Sequence, residues 1–183
     1  MSNALAIAAV TAVLKDLLND GLINHDLSAS VGSIAVSAHA PNLVTTGKDE
    51  APQLNLFMYH VTPNSGWRNV GLPSRGSSGE RLTNPPLALD LHYLLTAYGS
   101  QDFQAEILLG FAMQLLHETP VLTRQAIRAT LRAPSPVDGA LLPPARRAMA
   151  AAALAEQAEQ IKIIPESLST EEVAKLWAAF QAP

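Results

Sequence analysis

Cysteine is absent from all 183 residues, which excludes a disulfide framework and any thiolate metal site. Charge is scarce. Asp, Glu, Lys and Arg make up 15% of the chain, against about 25% in an ordinary globular protein. A surface this poor in charge suits a subunit partly covered by others. Long apolar runs are missing as well, and none approaches the ~20 residues of a membrane span. The opening MSNALAIAAVTAVLKDLL lacks the basic start of a secretory leader, and its first cation, Lys15, follows the apolar run. The chain therefore reads as soluble and cytoplasmic in origin, with no membrane partner. Neither a linker nor a repeat with a period of roughly 20–50 residues divides it, so residues 1–183 read as one domain.

A cationic excess is missing too. The net charge of −4 gives no general attraction to nucleic acid or anionic lipid. The charge is unevenly placed. Residues 1–67 hold two Lys against five acids, residues 68–147 eight Arg against six acids, and residues 148–183 two Lys against five acids. Every arginine lies in the middle block, which suits a subunit whose middle meets an acidic neighbour.

Apolar residues make up 48% of the chain, and the length is ample for a real core. The chain is organised around residues 54–98. LNLFMYHV at 54–61 is apolar on both faces, the mark of a strand covered on both sides. LALDLHYLLTAY at 87–98 alternates with period two and reads as a second strand. Between them lies an arm, residues 62–86, TPNSGWRNVGLPSRGSSGERLTNPP. Compact domains rarely carry so long a loop without a function. Its prolines stiffen it, its glycines turn it or lend flexibility, and Trp67 stands in its middle. Trp67 and Arg68 are residue types that anchor protein interfaces. Trp67 folding back into the domain's own core is an equal reading.

In chain order, Ser2 or Asn3 caps a helix that Gly21 ends, and SIAVSA at 33–38 is a short strand. After the central unit, residues 101–118 form a helix stopped by Pro120. Its main stripe holds Ala105, Leu108, Leu109, Ala112, Leu115 and Leu116, with Phe103, Ile107 and Phe111 on the opposite side. Grease on two faces implies burial, or sharing between the core and a neighbouring subunit. Thr123 starts another helix, stapled by Leu122 and Ile127, with Arg124, Arg128 and Arg132 on one face. Residues 133–144 read as loop, 145–155 as an alanine-rich helix and 160–164 as a strand. A capping box, Ser169 and Glu172, opens a last helix that buries Val173, Leu176, Trp177 and Phe180. The order α-β-β-β-α-α-β-α gives an α+β fold, one mixed β-sheet flanked by helices.

Few residues suggest chemistry. Asp90 and His92 point the same way from one strand, as a carboxylate orienting a general base does. The alternative to a structural role is thus a small metal-dependent or acid/base enzyme built on this pair. A nucleophile, an oxyanion donor and further ligands at a recognisable spacing are all wanting, and the bland reading is a satisfied polar pair. His25, His39, His60 and His117 form neither HxH nor HExxH. The arm glycines match no phosphate-binding pattern. The one arginine face has no aromatic interleaving. The residues propose no catalytic, metal or cofactor site and no nucleic-acid partner.

Four stretches, QLNLFMYHVTPNSGWRNVGLPSRGSSGERLTNPPLALDLHYLLTAYG at 53–99, ILLGFAMQLLHETPVLT at 107–123 and the flanking ALAIAAVTAVLKDLLND and LSTEEVAKLW, resemble a known family. It is the N-terminal domain of the cap, or tube-terminator, proteins of phage-tail-like contractile injection systems. The resemblance implies a fold similar to phage tail terminators and a structural, non-enzymatic role. It implies a hexameric ring at the end of the particle distal to the baseplate, assembled in the cytoplasm. That ring would end the inner tube and bind the last ring of the contractile sheath. The partners would be further copies of itself, the tube protein and the sheath protein. Family members continue past the last helix into another strand, whereas this sequence ends in AAFQAP. A terminal strand or further region is therefore expected to be missing. The expected interface residues are Trp67, Arg68, Asn69, Arg75 and Arg81 on the arm, Phe103, Ile107 and Phe111 on the two-faced helix, and Arg124 and Arg128.

Overall fold

Apolar residues at three- and four-residue spacing wind Ala6–Asn24 into helix α1. The computed structural model describes residues 5–25, 27, 31–67, 75–82, 87–131 and 160–181. The proposed cap at Ser2 or Asn3, Arg132, and the elements expected across 133–155 lie outside these. Strand β1 is Ala35–Ser37, β2 is Gln53–Pro63 and β3 is Leu89–Tyr98. Helix α2 is Gln104–Glu118, strand β4 is Val121–Thr123, helix α3 is Arg124–Leu131, strand β5 is Gln160–Lys162 and helix α4 is Thr170–Gln181.

The fold is α+β, and the described residues form two sheets where one was expected. The larger has the order β1-β2-β3. β1 runs parallel to β2, with Ala35 opposite Gln53 and Ser37 opposite Asn55. β3 is antiparallel to β2: Thr62 bonds His92, Asn64 bonds Asp90 and Thr96 bonds Asn55. Strand β5 pairs instead with β4, a three-residue segment that periodicity cannot register. Their sheet is extended by the Ile163 amide donating to the Pro120 carbonyl at 2.8 Å.

Two compact units interleave along the chain. One comprises Met1–Val13, Met58–Tyr93 and Thr123–Glu159, the other Leu14–Phe57, Leu94–Leu122 and Gln160–Pro183. In the first, Thr11 Oγ1 and Tyr93 Oη share a 2.8 Å hydrogen bond. Burial pushes the Tyr93 phenol above its ordinary pKa, and the Thr11 bond partly offsets this. Ile127 is fully buried there beneath α3, and the Ala126 amide donates to Thr123 Oγ1, which caps that helix.

In the second unit Leu18, Leu54 and Leu108 are fully buried, each contributing about 2 kcal/mol of hydrophobic stabilisation. Here the expected stop at Gly21 fails, and α1 continues to Asn24. Gly21 is buried, and a Cβ placed on it would collide with the Leu115 methyl groups and lie 3.3 Å from Phe111 Cζ. The glycine permits close approach to α2 rather than ending the helix, and tertiary packing outweighs its low propensity.

Among the described residues of the same unit, the polar side chain of Asn55 is fully buried. Its Oδ1 accepts from the His39 amide and from Ser37 Oγ, each at 2.9 Å, and its Nδ2 donates to the His39 carbonyl at 2.9 Å. The backbone leaves β1 after Ser37, so the ladder to β2 ends there. The carboxamide supplies the donor and acceptor that the departing backbone would otherwise lack.

Helix α4 starts at the expected capping box. Ser169 N and Oγ both donate to Glu172 Oε2, at 2.8 and 2.7 Å, and Glu172 N donates back to Ser169 Oγ at 3.3 Å. The side-chain bond from Ser169, then its backbone bond, hold the Glu172 carboxyl below its ordinary pKa. A depressed carboxyl adds stability above its unfolded value and loses it as pH falls through the folded value. Amide protection factors, relative to the intrinsic exchange rate at each pH, should therefore fall in the first turn of α4 as pH drops below the usual carboxylate range. Ser169→Ala should flatten that dependence. Beyond the cap, Phe180 meets Phe57 edge-on at 5.3 Å. Val173 and Trp177, expected in the core, remain more than a third exposed, and Leu176 and Phe180, expected there too, are half-buried.

Candidate functional site

The arm begins and ends on the β2–β3 ladder, and Asn64 ties its root. The Asn64 amide donates to the Ala88 carbonyl at 3.0 Å, its Nδ2 donates to Asp90 Oδ1 at 2.8 Å, and its Oδ1 accepts from the Trp67 amide at 2.9 Å. One side chain thus bridges both strands and starts the turn, as asparagine does when it caps its own backbone. Trp67 follows with 58% of its surface in solvent. The alternative in which it plugs its own core is thereby overturned. Arg68 and Asn69 lie outside the described residues.

Within the arm, residues 75–81 form a tight hairpin, where the sequence suggested flexibility. Arg75 and Arg81 face each other across an antiparallel bridge. The Gly76 amide donates to the Glu80 carbonyl and the Gly79 amide to the Gly76 carbonyl, both at 2.9 Å. Gly79 has φ +84°, a conformation that glycine alone adopts freely. Arg75 Nη1 donates to the Gly79 carbonyl at 2.9 Å, and Ser78 Oγ bonds the Glu80 carboxylate. Arg75 and Arg81, directly opposite across a bridge, concentrate positive charge on the hairpin, and Arg81 has a further interaction partner. Both are exposed, as is Leu82 beside them.

The pair that suggested chemistry has structural partners. Asp90 accepts from Asn64, and His92 Nε2 lies 3.0 Å from Thr62 Oγ1. The register brings His60 to His92, their rings 5.3 Å apart and nearly parallel, with Tyr59 at 6.1 Å. Stacked rings do not aim their nitrogens at a common point. Among the described residues no group of three or more His, Asp or Glu side chains is placed to hold a metal.

Helix α2 divides its residues differently from the sequence reading. Leu108 and Ala112 are buried. Phe111 turns inward, its ring edge-on to His25 at 5.3 Å, and so leaves the group it was placed in with Phe103 and Ile107. The outer face holds Phe103, Ile107 and Met113, exposed by 72%, 44% and 61%. Met113 was missed, and Leu109, expected in the core, is partly exposed. Stepping 100° per residue from the buried Leu108–Ala112 line would have found both. Phe103 precedes the helix with φ 70° and no side-chain cap bond. That left-handed conformation costs an aromatic residue roughly 1–2 kcal/mol. Gly110 lies on the same face, with nothing within 4 Å of where a Cβ would be. On α3, Arg124 is half-buried and Arg128 exposed, and both have interaction partners.

Among the described residues no helix is long and apolar enough to cross a membrane. Residues 9–183 match the family model described as the Pvc16 N-terminal domain. No curated protein and no solved structure matches the chain.

Proposed function

We propose, from the premise that the chain belongs to the Pvc16 N-terminal domain family of phage-tail-like contractile injection systems, that it is the subunit capping the tube. Copies of it form a closed, hexameric ring on the last ring of the inner tube, at the end distal to the baseplate, and that ring also holds the last sheath ring. The chain contributes surface rather than reaction chemistry. A ring that ends a stacked tube must be two-faced: one side repeats the tube's head-to-tail contact, and the other offers no further docking site.

The observation that carries this reading is the pairing of scarce charge with exposed anchors. Charged residues are 15% of the chain, yet Trp67 and the outer face of α2 lie in solvent. Exposed apolar surface of this kind, rimmed by polar groups, marks a surface awaiting a partner. Native mass spectrometry and negative-stain microscopy of the purified chain, alone and with tube assembled from its own system, test the reading. Closed rings, or the chain at one tube end, are expected. A monomer that ignores tube ends would overturn it.

A further inference from the structure

We propose that Asn64 and Asp90 are positioning residues for assembly: their clasp at the root of the arm fixes where Trp67 is presented, before any neighbouring subunit arrives. The proposal rests on the reading of the chain as a ring subunit and says how its arm is made ready for contact.

Trp67 keeps 58% of its surface in solvent, so burial in its own domain does little to hold it. Its backbone is held all the same, the amide donating to Asn64 Oδ1 at 2.9 Å. The same carboxamide reaches across the sheet, where Nδ2 donates to Asp90 Oδ1 at 2.8 Å. Asn64 stands where β2 gives way to the arm, and Asp90 lies in the first turn of backbone after the arm returns into β3. The carboxamide is planar, so its two bonds are coupled: the orientation that serves Asp90 also aims Oδ1 at the Trp67 amide. A carboxylate acceptor makes the cross-strand bond the firmer of the two. The ladder itself does not need this clasp, because the Asn64 amide already donates to the Ala88 carbonyl at 3.0 Å. The side chain thus gives the arm a direction and adds little to the sheet.

A fixed direction matters because of what binding costs. A tryptophan on a loose turn loses backbone and rotamer freedom as it docks, and that loss weakens association. A turn ordered when the chain folds has lost the freedom beforehand. Asparagine suits the position because one short side chain carries both a donor and an acceptor.

The test exchanges donor and acceptor. Asn64→Ala removes both side-chain bonds. Asn64→Asp sets a second carboxyl group against Asp90, which turns the side chain away. Each should weaken subunit association about tenfold. Asn64→Asp/Asp90→Asn restores the cross-strand bond with its polarity reversed and should associate within about twofold of the parent. All three chains should melt within a few degrees of the parent, because both side-chain bonds are exposed. The order of Trp67 is read separately, by nitrogen NMR relaxation of dilute chains isotopically labelled at their two tryptophans. The Trp67 amide should be rigid in the parent and in the exchanged chain, and mobile in the two single variants. An equally rigid Trp67 in the single variants overturns the proposal, whatever the chains assemble into. A mobile Trp67 with unchanged association also overturns it and leaves the ring reading standing, as does an exchanged chain no better than Asn64→Asp. A parent that stays monomeric overturns the ring reading and, with it, the clasp's role in assembly.

Discussion

Replacing Asn55 with alanine should lower the unfolding free energy by about 3 kcal/mol, the sum of bonds lost and of buried groups left without partners. The side chain is fully buried and makes three 2.9 Å bonds, two of them to the His39 backbone. Alanine removes all three and leaves the His39 amide and carbonyl without those partners where β1 ends. Asn55→Asp should be no milder. Its carboxylate keeps the acceptor but loses the donor to His39, and it places a charge in the core. Asn55→Leu matches the volume better and should still be strongly destabilised, which separates hydrogen bonding from cavity formation. Urea titrations of the four chains check this. A loss below about 0.5 kcal/mol for Asn55→Ala, the range of an ordinary surface change, would show that water replaces the carboxamide without cost.

Deleting residues 66–80 should abolish assembly while the fold survives. The cut removes Trp67, Arg75 and most of the hairpin. It spares the Asn64–Ala88 and Asn64–Asp90 bonds that close the arm's root. A shorter loop over the same root changes closure entropy little, so stability should move by no more than about 1 kcal/mol. Association should weaken at least a hundredfold, because anchors of the Trp and Arg type carry a disproportionate share of interface energy. Sedimentation velocity reads the assembly and thermal unfolding reads the fold. Intact rings after the deletion would reduce the arm to a connecting loop. A collapse of stability would instead make the arm part of the fold.

Elements with a local chemical cause were legible in the residues. Both central strands form where they were expected, because alternation and apolar content are properties of each strand alone, but Leu87, placed on the core face of the second, precedes that strand and is exposed. The Ser169–Glu172 box reads true because capping is decided within four residues. What escaped depends on partners distant in sequence. Gly21 reads as a stop, and only Leu115, far along the chain, makes it a contact point. Asn55 sits in an apolar strand where alternation says only that a polar side chain points inward, and the backbone it serves belongs to another strand. β4 is three residues long and gains its identity from pairing with β5.

The candidate surface was half legible. Trp67, Arg75, Arg81, Phe103 and Ile107 stood out by type and place, and all are exposed in the fold. The hairpin that sets the two arginines opposite each other did not stand out, because GSSG lacks the alternating apolar flanks that announce a hairpin. The left-handed backbone at Phe103 has no sequence signal in a residue other than glycine or asparagine. Phe111 was misplaced because a bare stripe assignment does not show which part of a wide apolar arc a neighbouring helix covers.

The most direct measurement of the central claim is a cryo-electron microscopy reconstruction of the distal end of the particle, with this chain identified by a fused label. A closed ring of this chain, seated on the last tube ring and touching the last sheath ring, is the expected result. A tube that ends without this chain, or density for it at the baseplate, would contradict the account.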